Sequence, residues 1–191
     1  TALKLNASYP QTTLKSPATI SVQGDVSADL AAQQVTMPSL LVEASYPDAT
    51  RPTPITATLK SVVRANLKTG ALELAPLDLQ ANISDNAFPK VMPIHLTAPI
   101  MANWKEGKIA LNGFSLDALA IKTTGQLQVS LPALAANAVP NTPTTQGMSI
   151  VGNINTSAFN LRQLRQNLGM KAPAMKSADT LKTVSVSSQI S

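Results

Sequence analysis

From Ile20 to Leu30 every second residue is apolar or small: Ile20, Val22, Gly24, Val26, Ala28 and Leu30. Side chains two apart leave an extended chain on the same side, so the run predicts a strand with one apolar face. The pattern returns 37 residues later, and again 37 after that, without gaps. Ile20, Ala57 and Ile94 correspond, as do Val22, Leu59 and Leu96; Val26, Val63 and Ile100; and Leu30, Leu67 and Trp104. A second alternating run follows in each copy, with Val35, Leu72 and Ile109 in register, then Leu40, Leu77 and Phe114, then Val42, Leu79 and Leu116. Three copies fall at 11–47, 48–84 and 85–121, and the tail of an earlier one stands at Leu3, Leu5, Ala7, Tyr9 and Pro10. A fixed period of this size is the mark of a repeat architecture.

The second run changes phase once in every copy, at Pro38-Ser39, Ala75-Pro76 and Asn112-Gly113. One extra residue there would restore the apolar face, so a β-bulge is expected at each. Gly70 and Gly107 occupy matching places between the two runs and suit tight hairpin turns. Small residues stand mid-way along the first run, at Gly24, Ser61 and Ala98, with Pro99 next; they predict a bend that curves the sheet into a trough. Past 121 the repeat dissolves in the sequence. Leu127, Val129 and Leu131 read as one more strand, 132–147 as a loop, and Met148 to Asn155 as a further strand. Residues 161–168 read as a helix, with Asn160 as N-cap, a stripe of Leu161, Leu164 and Leu168, and Gly169 as the stop. So short a helix needs a partner, and an open end of the sheet is the expected one. The expected fold is all-β: a curved antiparallel repeat sheet forming an apolar groove, with one short helix near the C-terminus. Residues 1–121 and 122–191 are read as one continuous domain.

Composition narrows the chemistry. Aromatic residues are 3% and charged residues 13%, so the apolar 44% is mostly aliphatic. The absence of cysteine excludes thiol nucleophiles and thiolate metal sites. The net charge of +5 is scattered, with no basic run and no interleaved aromatics, which argues against nucleic acid. His95 is the sole histidine, at an outward strand position, and the ten acidic residues are isolated from one another. No phosphate loop, nucleophile motif or metal-ligand spacing is present, so neither an enzyme nor a cofactor is expected. No stretch reaches about 18 apolar residues, the length of a membrane helix. The chain starts and stops in strand-like runs and is read as a fragment whose targeting signals lie elsewhere.

The segment from Ala158 to Gly169 (Ala-Phe-Asn-Leu-Arg-Gln-Leu-Arg-Gln-Asn-Leu-Gly), then Pro173, Ala178-Asp179, Leu181 and Val184-Ser185-Val186, resembles a signature of the AsmA family. Leu161 and Thr180 stand where that family commonly has proline; at the first helical position proline is favourable but dispensable. The resemblance covers about 30 residues. It implies a protein anchored in the inner membrane of a Gram-negative bacterium, with a β-rich periplasmic body that resembles bridge-like lipid-transfer proteins. A phospholipid or another envelope lipid is the implied partner, and outer-membrane assembly the implied process. The residues expected to line a lipid groove are Ile20, Val22, Val26, Leu30, Leu59, Val63, Leu67, Ile94, Leu96, Ile100 and Trp104. Two other readings stand beside it: a structural or adhesive β-module whose apolar face is closed as a sandwich, and a fragment of a membrane β-barrel.

Overall fold

The computed structural model describes residues 1–10, 16–48, 50–86, 90–131, 147–170 and 182–190. The loop read over 132–147 lies outside them except for Gly147, as does the Pro173 to Leu181 part of the C-terminal motif. The strands are β1 (Ala2–Tyr9), β2 (Ala18–Asp25), β3 (Ser27–Asp29), β4 (Gln34–Tyr46), β5 (Ile55–Asn66), β6 (Ala71–Ile83), β7 (Met92–Asn103), β8 (Lys108–Ala118), β9 (Ile121–Ser130), β10 (Ser149–Thr156) and β11 (Ser187–Ile190). One helix, α1 (Leu161–Asn167), lies between the last two strands. All strands form one antiparallel sheet in chain order, β3 continuing the line of β2 against β4. The sheet is open and curved, with no closure into a barrel.

The three copies are three consecutive strand pairs: β2 and β3 with β4, β5 with β6, and β7 with β8. Each pair is joined by four residues, and an Asp or Asn before the turn accepts backbone N–H groups within it. Asp29 accepts from Ala32 at 2.9 Å, Asn66 from Thr69 at 2.9 Å, and Asn103 from Lys105 and Glu106 at 3.0 and 3.1 Å. The fourth turn residue is left-handed in all three, Gln33, Gly70 and Gly107, as expected of the two glycines. The turn from β8 to β9 differs: only Leu119 and Ala120 span it, with φ of 56° and 63°. Both are poor residues for that geometry, which Asn-Gly adopts readily. Replacing them together by Leu119→Asn and Ala120→Gly should stabilise the fold by about 1–2 kcal/mol in urea titration.

The phase slips are bulges. Pro38-Ser39 and Ala75-Pro76 each set two residues against the single Val62 of β5, and Asn112-Gly113 sets two against Gln126 of β9. They lie in one line across the sheet. Proline lacks the N–H that a ladder position would use, so a bulge accommodates it without a lost bond.

Beside the bulges runs a row that the small residues organise. Through successive pairs it reads Leu3, Gly24, Leu40, Ser61, Leu77 and Ala98. Phe114 follows, one step on from the Thr97–Ser115 pair, and then Gly125, Ile154 and Ser188. Large and small side chains alternate over all ten places. Among the described residues, the buried aliphatic and aromatic side chains are Leu77, Ala98 and Phe114, 6%, 2% and 8% exposed, all in this row. A Cβ on Gly24 would stand 2.5 Å from the Ser39 carbonyl oxygen, and one on Gly125 would stand 2.9 Å from the Phe114 ring. Gly125 therefore makes room for the Phe114 ring, and Gly24 for the carbonyl of the bulge beside Leu40, beyond any bend they permit. The row also corrects the expectation that the repeat ends at 121. Ile121, Gly125, Leu127 and Val129 in β9 repeat Ile94, Ala98, Ile100 and Ala102, but at a spacing of 27. The turn before β9 has two residues where the connections before β5 and β7 have eight, and the strand ends beside it are shorter by four more, which hid the copy from a fixed-period reading.

The helix has the expected ends. Asn160 Oδ1 accepts from Gln163 N–H at 3.0 Å, and Gly169 N–H and Met170 N–H donate to the carbonyls of Gln166 and Arg165. Leu161, Leu164 and Leu168 are half-buried, while Gln163 and Gln166 are exposed. The C-terminal edge of the sheet is completed by β11 pairing with β10, and Asn167 at the end of the helix borders the same depression as Met92, Pro93, His95 and Asp117 of β7 and β8.

Polar groups tie two connections together at the opposite end from the four-residue turns. Asp48 accepts from the Thr50 N–H and hydroxyl, both at 2.8 Å, and meets Arg51 Nε at 3.4 Å. Arg51 Nη1 bonds Asp85 at 2.8 Å, and the Ser84 hydroxyl donates to the Thr53 carbonyl. The Thr50 amide, then its hydroxyl and the Arg51 charge, hold the Asp48 carboxyl below the usual carboxylate range. A carboxyl lowered by folding contributes stability above its unfolded value and loses it as pH falls through the lowered one. In an NMR pH titration Asp48 should titrate below ordinary aspartate, and Thr50→Ala should bring it part of the way back.

Candidate functional site

Register places every strand's alternate residues on a common face. Ile20 faces Ala7 and Ala44; Val22 faces Leu5 and Val42; Leu59 faces Val42 and Leu79; Val63 faces Met37 and Leu74. Ile94 faces Ala81 and Ala118, Leu96 faces Leu79 and Leu116, and Ile100 faces Leu74 and Leu111. These seven of the expected lining residues come together. Val26 sits between β2 and β3, half-buried, exchanging both backbone bonds with Thr1 at 2.7 and 2.8 Å. Leu30, Leu67 and Trp104 lie off the strands, as the first residues of the four-residue turns, and are 88%, 52% and 45% exposed. The capping Asp29, Asn66 and Asn103 end the ladder just before them. Past that point strand alternation no longer sets the side on which they lie; Leu131, which follows β9 at the same end of the sheet, is likewise exposed.

The second strand of each pair contributes as much of this face as the first. Val42, Leu74, Leu79, Leu111 and Leu116 lie on it beside the expected residues. Their own alternation was the signal for them, once the bulge restored the phase.

Followed through the register, this face carries no Asp, Glu, Lys, Arg or His in any of the eleven strands. Its few polar members are Ser61, Thr123, Thr156 and Ser188. The charges stand on the other face, where Arg64 pairs with Glu73 at 3.3 Å and His95 Nε2 meets Asp78 at 3.1 Å. All strands belong to one sheet, and Val22, Val42, Leu59, Leu79, Leu96 and Ile100 stay part-exposed on this face, so no second layer of described residues seals it. Ten strands at about 4.8 Å spacing, with about 33 Å of strand length, give a face of roughly 1,400 Å². Soluble monomers seldom expose more than a few hundred Å² of contiguous apolar surface. A concavity of about 750 Å³ opens instead on the polar side of the bulge line, among Lys4, Leu41, Lys60, Val62, Pro76 and Asp78. Its mixed charges recommend no single ligand.

Among the described residues no three His, Asp or Glu side chains gather in a metal-binding arrangement, and no helix is long and apolar enough to cross a membrane. Comparison with models of protein families, with curated proteins and with solved structures finds no match.

Proposed function

We propose that this chain is a lipid-handling module that holds phospholipid acyl chains along its apolar sheet face, without catalysis and without a cofactor. The observation that carries the reading is the charge-free face, uncovered over ten strands. An acyl chain recovers the hydrophobic free energy of such a surface, about 25 cal/mol per Å² covered, without asking for a specific polar partner. Charged residues confined to the other side leave the headgroup at the rim, with water. The resemblance of residues 158–186 to the AsmA family points the same way, and with it to a periplasmic module of a Gram-negative envelope. In that setting the full-length protein would be anchored in the inner membrane, pass lipid between the two membranes and support outer-membrane assembly. Native mass spectrometry of the purified chain tests the reading: phospholipid adducts that survive gentle desolvation are expected. A chain that carries no lipid, even after incubation with phospholipid, would point to a structural or adhesive module whose face is covered by another layer.

A further inference from the structure

The four-residue turns form one continuous rim, tied together by the backbone. Leu67 N–H donates to the Gln33 carbonyl at 2.9 Å, Trp104 N–H to Gly70 at 3.0 Å, and Leu131 N–H to Gly107 at 2.6 Å. The first residue past each of these strands is thus bonded to the last residue of the turn before it. Asp29, Asn66 and Asn103 hold the turns from within. The rim is fixed in place, yet Leu30, Leu67, Trp104 and Leu131 stand exposed along it. Their strands are two apart in the sheet, which spaces them about 9.6 Å from one another. At that spacing they are separate apolar tips rather than one patch. A protein surface would need a pocket for each. A bilayer interface takes each tip singly, and it favours leucine and tryptophan.

Cations accompany the tips. Lys68 follows Leu67 and Lys105 follows Trp104; both are exposed, and Lys105 Nζ donates to the Lys68 carbonyl at 2.5 Å. The acids of the turns are engaged locally, Glu106 by Lys108 at 2.9 Å and Asp29 by the Ala32 N–H. We infer that this rim docks on a bilayer surface carrying acidic headgroups, with Leu30, Leu67 and Trp104 inserted at the interface and Lys68 and Lys105 among the headgroups. Docked in this way, the strands stand end-on to the bilayer. The inference goes beyond the acyl-chain reading and does not rest on it.

Trp104 is the only tryptophan in the chain, so its fluorescence reports on the rim. The 191-residue chain is titrated with vesicles of equal parts phosphatidylcholine and phosphatidylglycerol. A blue shift is expected, with quenching by lipids brominated high on the acyl chain. Leu67→Asp should weaken partitioning by about tenfold. Lys68→Gln should weaken it by about fivefold, and only on acidic vesicles. Both positions are exposed in a turn, so urea titration should show both variants folded. Ile100→Asp, on the apolar face, should partition as the parent does even where it no longer holds acyl chains, so the two readings fail separately. No shift with vesicles would overturn the inference and leave the rim to a protein partner. Parental partitioning of Leu67→Asp, or of Lys68→Gln on acidic vesicles, would also overturn it. So would a loss in Ile100→Asp as large as in Leu67→Asp, which would move the membrane contact to the face.

Discussion

Gly125→Ala should be among the most damaging single methyls in the described fold, lowering stability by about 3 kcal/mol. Its Cβ would stand 2.9 Å from the Phe114 ring and within contact of the Asn153 carbonyl oxygen. The ring can tilt, but the carbonyl belongs to β10, and it moves only if the β9–β10 ladder opens. Loss of that ladder frees β10 and β11 together, because β11 pairs with nothing else. Urea titration should show the loss, with faster amide exchange in β10 and β11 than in β5 and β6. Gly147→Ala is the control: no atom of the described residues lies within 4 Å of its added carbon, so stability should stay within about 0.5 kcal/mol of the parent.

The second large effect is expected on lipid rather than on folding. Ile100 is half-buried between Leu74 and Leu111 on the charge-free face. Ile100→Asp places a carboxylate where an acyl chain would lie. On an uncovered face the carboxylate keeps water on its outer side, so the cost to the fold should be only about 1 kcal/mol. An acyl chain covering it would strip that water, and phospholipid occupancy should fall by about tenfold or more. Thr56→Asp, on the exposed polar face opposite Ser45 and Asn82, should leave both quantities unchanged. Unfolding of the Ile100→Asp chain would mean that the face is covered. An intact variant that still binds lipid normally would move the lipid to another surface.

Much of this architecture is readable from local rules. Alternation gave each strand its apolar side, and breaker residues at Pro38, Pro76 and Gly113 marked the bulges, because both depend on neighbours in the chain. Asn160 and Gly169 bounded the helix for the same reason. Relations across strands were harder to read. The small residues at 24, 61 and 98 suggested a bend, but the large residues they accommodate lie on adjacent strands, and only the register pairs them. Alternation also ran straight through Leu30, Leu67 and Trp104 into the turns. The Asp29, Asn66 and Asn103 series, at the same spacing of 37, was the signal that the strands end there. Which strand completes the C-terminal edge was not legible either, because Ser187-Ser188-Gln189-Ile190 carries no apolar alternation.

The most direct test of the apolar face asks which side of the sheet an acyl chain touches. A phospholipid with a nitroxide on its acyl chain, added to methyl-labelled protein, broadens the signals of side chains beside it. Leu59, Leu79, Leu96 and Ile100 should broaden at low lipid-to-protein ratios, while Leu41 and Val62, on the polar side of the same sheet, should stay sharp. Broadening centred on Leu41 and Val62, or spread equally over both faces, would contradict the account.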